Sequence, residues 1–363
     1  MTLALAAPRI YTERFWREFN RCLVLHRIFE AASPDGGVYR PVRRWRFLYL
    51  GLGGALIAVQ LSSGLYADDI PSDQPQASIG PRKRRPDANS APHGNIRLDV
   101  KVVLIPVSVT DSLDHPVNNL PPAAFRLLED NVEQKIACFF KEDAPVSVGL
   151  IFDTSGSMRK SIDRSLAALK QFFTTTMPGD EFFLIRFSDK PTVETGFTSD
   201  PGEILERLSF VHPQGWTALH DAIYLGVHRM KPAKNARRVL FVLSDGGDNN
   251  SRYTEAEVKN LVMESDVRIY AIGLFERPQF LEKLAALTGG ETFWAHHLKD
   301  LPDAVDKLAR ALRNQYVLGY SPNKPENDGK FRKIKVELAH PFGVPSLRLL
   351  WRHGYYAPYA PAR

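Results

Sequence analysis

The chain has 363 residues, 44% of them apolar and 24% charged, with only two cysteines. That length holds one large domain plus smaller pieces, because single cores run to roughly 100–200 residues, and the composition is that of an ordinary globular protein. The net charge of +6 argues against a nucleic-acid partner: residues 1–46 carry nine Arg against four acidic residues, so 9 − 4 = +5 precedes the first apolar run and the remainder is nearly neutral.

Residues 1–46 form a basic N-terminal segment with an aromatic stretch around Phe15, Trp16 and Phe19. The segment is long for the start of an export signal, which leaves two readings: translation beginning near Val38, or a genuine cytoplasmic tail. Residues 47–67 are uncharged, follow Arg40, Arg43, Arg44 and Arg46, and precede Asp68 and Asp69. Basic before and acidic after predicts that the C-terminal side crosses a membrane. The span approaches the ~20 residues needed to cross hydrocarbon and ends in small residues, so it reads as a signal peptide or a membrane anchor, the cleaved form preferred. The chain beyond residue 67 is expected to be extracytoplasmic, either in the periplasm or secreted, or held at the inner membrane by residues 47–67 alone. Cys22 and Cys138 then lie on opposite sides, which precludes a disulfide between them and a cysteine zinc site. Cys138, beside Ile136, Phe139 and Phe140, is expected to be buried. Residues 68–95 are rich in Pro, Ser, Asp and Gln and read as a flexible linker, with Arg82-Lys83-Arg84-Arg85 as a solvated charge run.

Residues 96–142 read as a small accessory β domain. Ile96, Leu98, Val100 and Val102 alternate with polar residues, then the phase shifts to Ile105, Val107 and Val109, which together with Pro106 predicts a bulge or an edge strand. Turn residues at 114–116 lead to a strand at 125–128, a turn at 129–131 and a single strand from 132 to 140. After Pro145 strands and helices alternate. Apolar runs predict strands at 146–152, 182–187, 238–244 and 267–274, with a shorter one at 291–295. Helical spacing of Ile162, Leu166, Leu169 and Phe173, and of Leu301, Val305, Leu308 and Leu312, predicts two helices, with others at 202–210, 218–230, 255–265 and 278–288. Residues 146–314 are therefore expected to be an α/β domain, a doubly wound and mostly parallel sheet flanked by helices, with ligands at the carboxyl ends of its strands. Residues 315–363 return to β, and their strands are expected to pair with those of the accessory domain in a sandwich-like arrangement.

The candidate site lies at those carboxyl ends. Asp153, Ser155 and Ser157 place one carboxylate and two hydroxyls at alternate positions after the first strand, Asp245 closes another apolar run, and Thr217 sits between them in Gly215-Trp216-Thr217-Ala218-Leu219. Oxygen-only donors suit a hard divalent cation: Mg²⁺, or Mn²⁺ or Ca²⁺ in its place. In this reading Ser155, Ser157 and Thr217 ligate through hydroxyls, Asp153 and Asp245 hold the metal's waters, and one position stays open for an incoming carboxylate. The competing reading is that Asp153, Ser155 and Ser157 merely cap a following helix.

These motifs, Asp153-Thr154-Ser155-Gly156-Ser157, Thr217 in its Gly215–Ala222 run, and Leu243-Ser244-Asp245-Gly246, resemble the metal-ion-dependent adhesion site of von Willebrand factor type A domains. The resemblance covers about residues 146–314. Tyr316-Val317-Leu318-Gly319-Tyr320, Gly329-Lys330-Phe331-Arg332-Lys333-Ile334 and Gly354-Tyr355-Tyr356-Ala357-Pro358 resemble a bacterial, acidobacterial-type group of exported relatives, in which a small β domain precedes the adhesion domain. The resemblance implies a Rossmann-like sheet with one short antiparallel edge, and metal-bridged binding of a protein partner that presents Asp or Glu.

Other chemistry is thinner. Asp153-Thr154-Ser155-Gly156 differs from the Asp-Thr-Gly turn of aspartic proteases by an inserted residue, and no second copy supplies a dyad. An aspartyl phosphatase would want an acid where Ser155 stands. His220 and His228 are too far apart on one helix for joint zinc ligation. The expectation is thus an exported, non-enzymatic binding module. Its alternatives are a metal-dependent hydrolase with His220 as base, and a structural subunit with a vestigial site.

Overall fold

The computed structural model describes residues 102–142, 144–323, 328–339 and 347–359. The basic segment, the apolar span at 47–67, the linker and Cys22 lie outside the described residues. The first strands are β1 (Val103–Thr110), β2 (Phe125–Glu129), β3 (Val132–Gln134) and β4 (Ile136–Glu142). Asp130 and Asn131 both adopt positive φ, 47° and 66°, as a two-residue hairpin between β2 and β3 requires. The run expected as one strand from 132 to 140 is two: β3 pairs with β2, whereas β4 pairs with a strand from the end of the chain, so the chain changes sheets at Lys135. Alternation along the sequence is blind to this, because both pieces keep the same period. Pro106 creates no bulge in β1. It sits opposite Val317 where the second neighbour has not yet begun, since that neighbour pairs only from Val107 onward, and the missing N–H therefore breaks no ladder.

The chain then alternates through β5 (Val146–Asp153), α1 (Ile162–Phe173), β6 (Glu181–Phe187), β7 (Pro191–Thr198), α2 (Pro201–Ser209), α3 (Leu219–Arg229), β8 (Arg237–Ser244), α4 (Glu255–Glu264), β9 (Val267–Leu274), α5 (Gln279–Thr288), β10 (Thr292–Ala295) and α6 (Leu301–Arg313). One six-stranded sheet results, in the order β10-β9-β8-β5-β6-β7, parallel except for β7. Every residue of the central β5 is buried, as expected of a strand covered on both faces. Val148, Leu150 and Phe152 pack against Leu169 and Phe172 of α1 and Leu308 of α6, while Ile151, Leu240 and Val242 pack against Ile223 of α3 and Val262 of α4. Local chemistry sets the helix ends. Asp200 accepts the Gly202 N–H ahead of α2, Thr254 and Glu257 form a reciprocal capping box at α4, and Gly289 stops α5 in the left-handed region.

The chain ends in β11 (Gln315–Tyr320), β12 (Phe331–Leu338), β13 (Arg348–Trp351) and β14 (Gly354–Tyr356). They complete two four-stranded sheets, β13-β1-β11-β4 and β14-β12-β2-β3, which share a core of Ile105, Val107, Leu127, Leu318, Tyr320 and Val336. Cys138 is buried.

Candidate metal centre

β5 and β8 are adjacent and parallel, with Phe152 opposite Leu243. Their carboxyl ends emerge side by side, which brings Asp153 and Asp245 to one edge of the sheet. Asp153 is fully buried: its Oδ1 accepts the Ser155 N–H at 2.9 Å and its Oδ2 accepts the Ser244 hydroxyl at 2.5 Å. Ser155 Oγ lies 3.0 Å from Ser157 Oγ, and Ser157 Oγ donates to Asp245 Oδ1 at 2.8 Å. Four of the five residues singled out in the sequence are therefore one hydrogen-bonded cluster. The capping alternative fails for Ser155, which stands at the start of the short 3-10 turn Gly156–Lys160 without a side-chain cap bond.

Thr217 reaches the same edge through its backbone. Its loop is tied down by Gly156 N–H donating to the Gly215 carbonyl at 3.0 Å, Gln214 N–H to that of Thr154 at 2.9 Å and Ala218 N–H to that of Ser188 at 2.8 Å. Gly215 has φ +83°, and a Cβ there would come within 2.7 Å of the Asp189 carboxylate, which accepts the Trp216 N–H. Thr217 itself is buried; its N–H donates to Asn249 Oδ1 at 2.8 Å, and its carbonyl accepts from the Asn249 and Asn250 N–H groups. Its hydroxyl makes no hydrogen bond to the other four residues. Asp189 and Asn249 thus build the site without having been picked out in the sequence, and Ser244 and Gly215, named there only within the quoted motifs, build it as well. Ser244 had a signal, being next to Asp245. Asn249 had none, since its contact with Thr217 spans 32 residues.

The electrostatics favour a cation. Burial pushes the Asp153 carboxyl upward against the hydrogen bonds from Ser244 and Ser155. Asp245 is pushed up to about 6, first by burial and then by the Asp153 charge, with the Ser157 hydrogen bond opposing. Neither acid has a basic partner among the described residues, so a bound cation would relieve both. The donor spacing also fits. The 3.0 Å between the Ser155 and Ser157 hydroxyl oxygens is close to the edge of an octahedron, about 2.9 Å, built on metal–oxygen bonds of roughly 2.0–2.1 Å. A small hard ion could accept a lone pair from each of these hydroxyl oxygens while the Ser157 proton is still donated to Asp245.

His220 is engaged elsewhere. Its Nδ1 lies 3.2 Å from the Tyr253 carbonyl and 3.6 Å from Asp248 Oδ2, and its ring packs edge-on against Phe280. No hydrogen bond joins it to the hydroxyl–carboxylate cluster. His228 stacks on Tyr224, and the His296 ring lies tilted against Trp294. No group of three or more His, Cys, Asp and Glu among the described residues is placed to hold a metal, which leaves the mixed hydroxyl–carboxylate cluster as the candidate.

Residues 148–247, from β5 to just past Asp245, match the family model of the von Willebrand factor type A domain. The chain carries a von Willebrand factor type A domain. Solved structures similar to it include proximal thread matrix protein 1 of the mussel byssus, with a zinc-occupied adhesion motif, at 17% identity and TM-score 0.43 over 51% of each chain. A von Willebrand factor type A protein from Catenulispora acidiphila aligns at 14% identity and TM-score 0.42, over 71% of this chain and 73% of that one. An aerotolerance-related membrane protein from Bacteroides fragilis aligns at 16% identity and TM-score 0.39, over 45% of this chain and 98% of that one. The chain spans about half the length of the mussel thread protein. No curated protein matches it by sequence.

Proposed function

We propose that this protein is a non-catalytic binding module. Ser155, Ser157 and Thr217, with Asp153 and Asp245 behind them, hold a divalent cation such as Mg²⁺, Mn²⁺ or Ca²⁺. Through it they capture an Asp or Glu side chain of a protein partner. The observation that carries this reading is the pair of buried acids without a basic partner among the described residues, joined by hydrogen bonds to two serines whose hydroxyl oxygens stand 3.0 Å apart. When bound, the cation supplies positive charge to an incoming carboxylate. The chain's part is to position the hydroxyls, through the Asp153–Ser155 turn and the Ser157–Asp245 bond. Export across a membrane, read from residues 47–67, belongs to the same proposal. The test is a pull-down from envelope extract in Mg²⁺ and in EDTA, comparing wild type with Asp245→Ala. Capture lost both on chelation and in the variant is the expected result. Capture that ignores both refutes the proposal.

A further inference from the structure

At the amino ends of β8 and β9, the edge of the central sheet opposite the candidate metal centre, lies a cavity of about 440 Å³. Arg237, Arg238, Arg268 and Arg352 line it together with Glu142 and Asp266, giving 4 − 2 = +2. Its other wall is apolar, formed by Leu104 and Pro106 of β1 and Val317 of β11.

The hydrogen-bonding capacity of these arginines is unevenly used. Arg352 is committed: it pairs with Asp266 at 2.6 Å and donates to the Met263 and Ser265 carbonyls at the end of α4. Arg268 donates to Gln315 and lies 3.6 Å from Glu142. Arg237, whose side chain is 3% exposed, donates through its terminal nitrogens to the Ala144 and Leu312 carbonyls. Its Nε lies 3.3 Å from Glu142 Oε2, yet neither atom makes a hydrogen bond. Arg238 has no acidic partner among the described residues, and its Nε is buried without an acceptor. It also lines a second cavity of about 320 Å³ alongside Lys231. A buried guanidinium nitrogen without an acceptor is costly, and the planar guanidinium matches the oxygens of carboxylate and phosphate. The volume lies within the range of small-molecule sites and exceeds what one inorganic ion fills.

We propose that this cavity binds an organic anion, a carboxylate or phosphate joined to a small apolar body, with its anionic oxygens on Arg238 and its carbon part against Leu104, Pro106 and Val317. The site is separate from the metal centre and does not depend on it. The test is calorimetric titration of the full chain at fixed ionic strength with phenyl phosphate, hexanoate, inorganic phosphate and hexanol. Saturable one-to-one binding of phenyl phosphate or hexanoate is expected, with at least about tenfold weaker binding of inorganic phosphate and none of hexanol. Whichever organic anion binds more tightly identifies the head group. Arg238→Gln should weaken binding at least about tenfold, because it removes the guanidinium that has no other acid. Leu104→Trp should abolish binding by filling the cavity from the apolar side, and it decides the matter if Arg238→Gln does not fold. Ser157→Ala should leave binding unchanged. The proposal is overturned if wild type binds neither organic anion saturably, if Leu104→Trp or a folded Arg238→Gln binds as wild type does, or if inorganic phosphate binds as tightly as phenyl phosphate.

Discussion

Asp153 and Ser157 separate two contributions that usually travel together, the stability of the fold and the capacity to hold an ion. Asp153 is buried with no cation beside it, so its charge costs the ion-free protein stability. Asp153→Asn removes that charge while an amide oxygen can still accept from the Ser155 N–H. The variant is expected to melt in EDTA at or above the wild-type temperature. Wild type should gain about 2.7 kcal/mol from Mg²⁺ at a hundred times its dissociation constant, whereas Asp153→Asn should gain nothing. Parallel melting curves in EDTA and in Mg²⁺ measure both, and an equal Mg²⁺ shift in the two proteins would show that Asp153 plays no part. Ser157 is exposed and donates one hydrogen bond to Asp245. Its replacement by Ala should cost the ion-free protein no more than about 1 kcal/mol, but should lower metal affinity by roughly 10–100-fold, readable by Mn²⁺ titration.

At the scale of elements, the site depends on a loop that contributes a single candidate ligand. The stretch from Gln214 to Ala218 is clamped at both ends by backbone hydrogen bonds, and Gly215 alone can take φ +83° without meeting the Asp189 carboxylate. Gly215→Ala should therefore destabilise the fold by about 1–2 kcal/mol. Because the strain falls two residues from Thr217, it should also weaken Mn²⁺ binding without altering any ligand. Unchanged Mn²⁺ affinity in a folded Gly215→Ala protein would show that this loop does not position the site. Most elements of the α/β region were legible in the sequence because they bury a periodic apolar face: continuous in β5 and β8, and at helical spacing in α1 and α6. The exception is β7, whose mostly half-exposed residues carry no such period, so that only the family resemblance implied an antiparallel edge. The break between β3 and β4 was not legible either. Nothing local distinguishes a strand that continues from one that changes sheets, and the decision belongs to β2 and β11, which take the two halves as partners.

Across the molecule, charged residues join the central sheet to the strands at either end of the described chain. Glu291, just before β10, pairs with Arg348 of β13, which also pairs with Asp114 at 2.8 Å, and Lys307 of α6 lies 3.3 Å from the same Asp114. Burial outweighs the Arg348 guanidinium and pushes the Glu291 carboxyl up from 4.5 to about 7. An acid whose pKa rises on folding contributes stability that is complete below its unfolded value and is lost as pH rises through its folded value. This contribution is thus present below about pH 4.5 and lost as pH approaches and passes 7. Glu291→Gln should match wild type near pH 4.5 and exceed it above pH 7 by up to about 3 kcal/mol. Urea unfolding at both pH values measures the gap, and a gap that does not widen with pH would refute the assignment. Arg237 is the deeper joint: it donates to the Ala144 carbonyl ahead of β5 and to the Leu312 carbonyl of α6, beside Glu142 of β4. Arg237→Met should destabilise the protein by about 3–5 kcal/mol, since it leaves Glu142 without its nearest cation, and chemical denaturation of the variant checks this.

The sequence by itself determined the layered α/β region and the order of its strands and helices apart from the edge strand β7, because the period of apolar burial is a local property. It also determined which five oxygen-bearing residues stand at strand ends and in the loop between them. Tertiary structure alone decided that β5 and β8 are neighbours, and hence that Asp153 and Asp245 share one pocket with Ser155 and Ser157. It also recruited Ser244, Asp189 and Asn249 to hold that arrangement, and it gathered four arginines at the opposite edge. The physical reason is that contacts across a sheet are set by which strands pair and in what register, and that pairing is settled by the whole core at once.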